Sequence, residues 1–221
     1  MTVLHLADEG EAADLAAFLS RLLHYDRSAA VRMQSAGTAL AVFGRPPSFE
    51  VLAVRAVRLA KPYENGLDVT LDRTVSAGEL LESVDEAAAT VTVPAAVTGP
   101  PWAGVLPPRR GWQPEPGLPE PEELRGLVAA AVAEFKSRTA GLPPERRTRA
   151  ELDRIGREIW SRTVGDTALP VRAVHAAHTL GFLRGTEAGL FSSGAWLRLR
   201  TPYGSVAVRR SGLGALDVSV R

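Results

Sequence analysis

Trp196-Leu-Arg-Leu-Arg-Thr-Pro-Tyr-Gly-Ser-Val-Ala-Val-Arg-Arg210 decides how the end of this chain folds. Leu197 and Leu199 share one face of its first half, and Val206 and Val208 share one face of its second. Between them Thr201-Pro-Tyr-Gly204 sets Pro at i+1 and Gly at i+3 of a type I turn. Alternation on both sides of a turn predicts a β-hairpin, strands 196–200 and 205–210, with an apolar inner face and an arginine-rich remainder. Leu216, Val218 and Val220 add one more strand.

The residues ahead of the hairpin change period from two to 3.6. Glu122 and Glu123 lead a helix to about Arg138, with Leu124, Leu127, Val128, Ala131, Val132 and Phe135 as its stripe. Gly141 and Pro143 stop it. Thr148-Arg-Ala-Glu151 is a capping box, an N-cap hydroxyl with a carboxylate three residues on, and Leu152, Ile155, Gly156, Ile159 and Trp160 give the next apolar face. Pro170 suits the first turn of a third helix bearing Val171, Val174, Ala177 and His178 on one side. Gly181 supplies its left-handed stop, with Phe182 and Leu183 packing beyond.

Working back, Pro94 to Pro121 holds nine prolines in 28 residues, whose fixed φ and missing N–H exclude a helix or a central strand. Trp102 and Trp112 lie inside it, and each indole buries on the order of 200 Å² when packed. The reading is an extended connector pinned across a domain surface. Earlier still, Asp8-Glu-Gly-Glu11 opens a helix over roughly 9–24, with Leu15, Phe18, Leu19 and Leu22 on its inner face. Ala30–Met33 and Ala39–Phe43 flank a Ser-Ala-Gly-Thr turn as a hairpin; 49–59 and 67–71 read as further strands. Ser76-Ala-Gly-Glu79 caps a second helix, and Thr90–Val93 is a short strand stopped by Pro94. The fold class is therefore α+β: a mainly antiparallel sheet domain with one or two helices over 1–97, a Pro/Trp-rich connector over 98–121, and a domain of three helices plus a hairpin over 122–221.

Composition narrows the function classes. At 221 residues and 45% hydrophobic content the chain has ample material for a core. It has no cysteine, which excludes disulfides, thiolate metal sites and thiol catalysis. The first residues carry acids rather than a basic n-region, so no secretory leader is expected, and no apolar run reaches the roughly 20 residues that span a bilayer. A cytoplasmic location, with no membrane, is the expectation. No GxSxG, phosphate-binding glycine loop with Lys, or HExxH occurs, and Ser211-Gly-Leu-Gly214 follows a strand without opening a helix, so it reads as a turn. No catalytic residue, cofactor or metal is assigned, and the reading leans away from an enzyme. His175 and His178 stand at i, i+3 but lack nearby further ligands, which favours core or cap histidines.

Net charge is +1, yet it is unevenly spread: residues 146–221 hold 13 arginines and 6 acids, a net of +7, leaving 13 basic and 19 acidic groups and a net of −6 for the rest. Lys61 and Lys136 are the only lysines, a usage typical of GC-rich coding sequences, so part of the arginine content is background. The split fits a phosphate-binding C-terminal part, or two halves docked on each other. In the first case helix 170–180 enters a major groove with Arg172 and His175 outward, while Arg198, Arg200, Arg209 and Arg210 contact backbone or minor groove. That helix has one Arg and neither Asn nor Gln, so it is short of base-reading groups.

Two resemblances accompany this reading. The stretches Phe18-Leu-Ser-Arg-Leu-Leu23, Trp102-Ala-Gly-Val-Leu-Pro-Pro108 and His175-Ala-Ala-His-Thr-Leu-Gly-Phe-Leu183, with the closing hairpin, resemble conserved hypothetical proteins of GC-rich actinobacteria, a family that brings no activity or ligand. Residues 122–210 resemble a winged helix in element order, without a strand between the first two helices. The winged helix implies a DNA-binding or regulatory protein with double-stranded DNA as partner; the alternative is an interaction or scaffold module with a protein partner or a second copy as homodimer.

Overall fold

The computed structural model describes residues 2–36, 38–60 and 71–210. The expected strand over 67–71, the Ser211–Gly214 turn and the strand at 216–220 lie wholly or mostly outside them. The chain runs β1 (Val3–His5), α1 (Glu9–Tyr25), β2 (Ala30–Ala36), β3 (Ala39–Gly44), β4 (Leu52–Arg58), β5 (Asp72–Ser76), α2 (Ala77–Glu82), β6 (Val84–Asp85) and β7 (Thr90–Thr92). It continues as β8 (Gln113–Glu115), α3 (Pro121–Ala140), α4 (Arg149–Trp160), α5 (Val171–Thr179), β9 (Gly189–Ser193), β10 (Trp196–Thr201) and β11 (Gly204–Arg209). The class is α+β, as the sequence predicts.

The N-cap side chain of each of the three expected capping boxes makes its bond. The Asp8 carboxylate accepts from Glu11 N at 2.9 Å, Ser76 Oγ from Glu79 N at 3.4 Å, and Thr148 Oγ1 from Glu151 N at 3.2 Å. Each satisfies one of the backbone donors that a helix start leaves unpaired. Gly181, at φ 74°, makes the left-handed stop after α5, a conformation without steric cost only for glycine.

The described residues form two sheets, both antiparallel: β1-β7-β6, and an eight-stranded sheet ordered β5-β2-β3-β4-β11-β10-β9-β8. The hairpin's setting differs from a winged helix. Its second strand pairs with β4 through Ser205↔Val54, Val206↔Ala53 and Ala207↔Leu52, so β10 and β11 form the middle of a sheet rather than a projecting wing. Local alternation announces a hairpin but cannot show which edge it will meet 150 residues away, and a β11 edge left open would expose a row of unpaired backbone groups.

Pleating sorts the side chains of this sheet onto two faces. On the inner face, Val31, Met33, Leu40, Val42, Val57, Leu197, Leu199, Val206 and Val208 join Leu15, Phe18, Leu19 and Leu22 of α1 and Ile155, Ile159, Val171 and Val174 of α4 and α5 in one core. Both halves of the chain therefore fold onto a shared core. A buried ion cluster lies where they meet. Arg55 Nη2 donates to Glu11 (2.7 Å) and lies 3.4 Å from Asp14, while its Nη1 donates to the Tyr203 carbonyl at 2.9 Å. Arg184, from the second half, also pairs with Asp14 and stacks 4.0 Å over the Tyr203 ring.

The proline-rich segment straps the outer face. It leaves the β5 edge, where Val97 N donates to Thr74 O at 2.9 Å, passes Arg32, which donates to Ala103 O, and becomes β8 on the far edge. Seven strand spacings amount to about 34 Å, and sixteen extended residues reach about 50 Å, so the strap spans the sheet with slack. Pro114 sits in an edge strand, the place in a sheet that tolerates its missing N–H. Trp102 and Trp112 are half-buried along this path, and Trp112 Nε1 donates to Pro108 O at 2.9 Å.

Candidate nucleic-acid interface

The outer face of the closing hairpin gathers three arginines that form no ion pair among the described residues. Strand alternation puts Trp196, Arg198 and Arg200 of β10, and Ser205, Ala207 and Arg209 of β11, on the side opposite the core. Neighbouring strands add Leu52 and Val54 of β4, in register with Ala207 and Ser205, and Phe191 of β9, in register with Arg198; Ala56 follows two residues along β4 on the same face. The turn that fixes this register is held on its own account, Thr201 Oγ1 donating to Gly204 O (3.1 Å) and accepting from Tyr203 N (3.2 Å). Its anchorage to Arg55 and Arg184 ties the hairpin to the first half.

Two recesses follow one another along these strands. One, of about 500 Å³, has an apolar floor of Val54 and Ala56, a Phe191 wall, and Arg198, Arg200 and Ser205 as polar groups, with exposed Glu187 at its rim. The other, of about 350 Å³, lies at the start of β10 between Trp102 and Trp196, with Arg45, Arg172 and Arg209 and one acid, Glu50. From Trp196 to Arg200 the face measures about 13 Å.

Within the first recess Arg198 Nε donates to Ser205 Oγ at 2.9 Å, and its guanidinium lies 5.6 Å from the centre of the Trp112 ring. Burial and, after it, repulsion from Arg200 depress its proton affinity, although a guanidinium remains charged at any physiological pH. Arg209 lies over Trp196, 5.7 Å from the ring centre. Among the described residues, none of Arg198, Arg200 and Arg209 forms an ion pair. About half of the described basic groups elsewhere do, among them some of those on α3 and α4. Arg138 is forked onto Glu158 at 2.7 and 2.8 Å, Arg154 pairs with Glu151 at 2.7 Å, and Arg162 with Glu134 at 2.6 Å. These pairs consume much of the positive excess of the second half inside its own helices.

The residues expected to meet DNA are thus separated. Arg198, Arg200 and Arg209 share the outer face. Arg210, one residue on, has the opposite strand parity and pairs with Glu115 at 2.7 Å. Arg172 faces Glu50 across 3.9 Å, is mostly buried, and lines the second recess from the start of α5. His175 does not point outward. It stacks on Trp160 with centroids 4.6 Å apart and meets Phe49 edge-on at 5.1 Å. Burial, then the neighbouring His178, lower its pKa. Helix α5 packs against β11, α3 and α4 with Val171, Ala173, Val174, Ala176 and Ala177 buried, which leaves Arg172, His175 and Thr179 partly exposed and His178 exposed. The apolar spacing that marked one side of this helix gave no warning that small residues, Ala173 and Ala176, would carry the other side inward as well.

Phe191, Ser205, Trp102, Trp112 and Glu187 belong to the site without having been singled out as ligand groups. Phe191 sits in β9, whose Gly189-Leu-Phe-Ser-Ser193 stretch is short and bounded by Gly194. The Leu190/Phe191 pair between two glycines was the available signal. Among the described residues, no group of three or more His, Asp or Glu side chains is placed to hold a metal ion, and no helix is long and apolar enough to cross a membrane.

Comparison with known proteins divides the chain within the strap. Residues 1–104 match the family described as "Domain of unknown function (DUF8010)", and residues 107–213 match that described as "Domain of unknown function (DUF8185)". No curated protein matches. The β4–β11 pairing therefore joins the two matched regions in one sheet. The two regions, similar to DUF8010 and DUF8185 in turn, share a core.

Proposed function

We propose that this is a non-enzymatic nucleic-acid-binding protein that meets its ligand with the outer face of the eight-stranded sheet, not with α5. The observation that carries the reading is the set Arg198, Arg200 and Arg209, side by side on one face, beside Trp196 and Phe191, with no described carboxylate paired to them. Cations that follow a backbone, interleaved with rings on which bases stack, are the chemistry of sequence-tolerant single-strand binding. The concave shape of both recesses favours a single strand over a duplex. A regulatory role is consistent with this chemistry.

Fluorescence anisotropy tests the proposal with a labelled oligothymidylate and a mixed-sequence duplex at low salt. Three phosphate contacts give a log–log salt slope of about −2 for a single strand. The expected result is single-strand binding with such a slope, lost in the Arg198→Ala/Arg200→Ala variant. Absence of binding to both ligands, or binding indifferent to these arginines, overturns it. If binding is absent and light scattering shows a concentration-dependent dimer, the interaction-module reading takes its place.

A further inference from the structure

We infer that the larger recess is a phosphate-monoester subsite that takes the phosphorylated end of a nucleotide. The inference rests on the outer face being the binding face and names the chemistry of one part of it.

Arg198 is the starting point. Its guanidinium is half-buried, and its one hydrogen bond within the described residues runs from Nε to the neutral Ser205 hydroxyl. That bond fixes the plane of the fork and leaves both terminal nitrogens to other acceptors. Arg200 lies two residues along the same strand face, at roughly 7 Å of rise, and it too has no ion pair among the described residues. Two like charges brought together with one of them desolvated are unfavourable until an anion bridges them. A dianion between two forks is the geometry in which arginine outperforms lysine. Ser205, buried beneath them, keeps its hydroxyl proton while accepting from Arg198, so it has a donor to give a phosphate oxygen.

The remaining lining describes what is attached to the phosphate. A volume of about 500 Å³ exceeds the needs of an inorganic anion and suits a nucleotide-sized group. Val54 and Ala56 give an apolar floor and Phe191 a stacking wall. Glu187 would repel a second phosphate, but at the rim it can accept a hydrogen bond from a sugar hydroxyl. A cationic end, an aromatic wall and an acceptor at the mouth together fit a nucleoside monophosphate. It can come as a free nucleotide or as the 5′ end of an oligonucleotide.

Isothermal titration of the full chain with AMP, and with the same oligothymidylate carrying a 5′-phosphate or a 5′-hydroxyl, tests this. AMP binding, or at least a tenfold preference for the phosphorylated oligonucleotide, is the expected result; AMP displacing the oligonucleotide's end identifies one shared subsite. Arg198→Met should remove the preference and, because it deletes a desolvated cation without a counter-ion, raise the melting temperature of the ligand-free protein. A folded, stabilised variant that has lost binding separates a binding role from a structural one. No AMP binding together with equal affinity for the two oligonucleotide ends overturns the inference and leaves the proposed function standing. AMP binding without oligonucleotide binding retains the inference and refutes that function.

Discussion

Replacing Arg55 by Met removes the cation at the meeting point of the two halves. Arg55 is 4% exposed and Glu11 8% exposed, so water cannot substitute for the lost partner. Three interactions go together: the 2.7 Å bond to Glu11, the 3.4 Å contact to Asp14 and the 2.9 Å bond to the Tyr203 carbonyl. Breaking a buried pair by removing one member costs about 3–5 kcal/mol, far more than an exposed pair is worth. Arg58 still donates to Glu11 Oε1 at 2.7 Å, which keeps the carboxylate partly satisfied and places the loss at about 3 kcal/mol, the low end of that range. For a chain of this size that corresponds to roughly 6–12 °C in Tm. Urea unfolding followed by circular dichroism measures it directly. The double variant Glu11→Leu/Arg55→Met, apolar on both sides, should recover most of the loss. A cost under about 1 kcal/mol for Arg55→Met, or a double variant no better than the single, would refute the view that this cluster joins the halves.

Three further outcomes follow from the packing and the charges. His175 has a lowered folded pKa because burial disfavours its charged form, so the unfolded chain binds its proton first; stability present above the ordinary histidine pKa of 6.5 should decline as pH falls below it, and His175→Phe should flatten that limb in urea melts between pH 5 and 8. Glu158 is held down to about 2, chiefly by hydrogen bonding to Arg138. Its contribution should therefore be intact above the usual value of 4.5 and disappear as pH drops towards 2, so Glu158→Gln and wild type should converge in stability only at the acid end. Gly204 adopts φ 156°, and a Cβ there would fall 2.5 Å from the Phe182 ring, so Gly204→Ala should cost about 1–3 kcal/mol by overpacking, read as a lowered denaturation midpoint.

What the sequence disclosed was local. Asp8, Ser76 and Thr148 announce three helix starts because capping depends on a few adjacent residues, and Gly181 announces a stop for the same reason. The Trp196–Arg210 hairpin is legible because its turn and its alternation are contiguous. Its partner is not, since β4 lies about 150 residues earlier and strand pairing leaves no mark beyond a half-apolar run. β1 and β9 escaped notice as short strands with little alternation to count, and β5 follows directly on the strand read over 67–71. Charge behaved similarly. The excess of arginine after residue 146 was visible, but its cancellation by Glu134, Glu151 and Glu158 depends on how α3 and α4 pack. Strand parity separates Arg209 from Arg210, and this could have been read directly; that Phe191 and Ser205 meet at Arg198 required the sheet order.

Arginine side-chain NMR shows directly whether an anionic ligand sits on the outer sheet face. In an oligothymidylate titration followed by Nε–Hε correlations, the signals of Arg198, Arg200 and Arg209 should shift together and saturably. Those of Arg138, Arg154 and Arg162, already committed to glutamates, should stay in place. Shifts confined to the helical arginines, with Arg198 unmoved at saturation, would contradict the account.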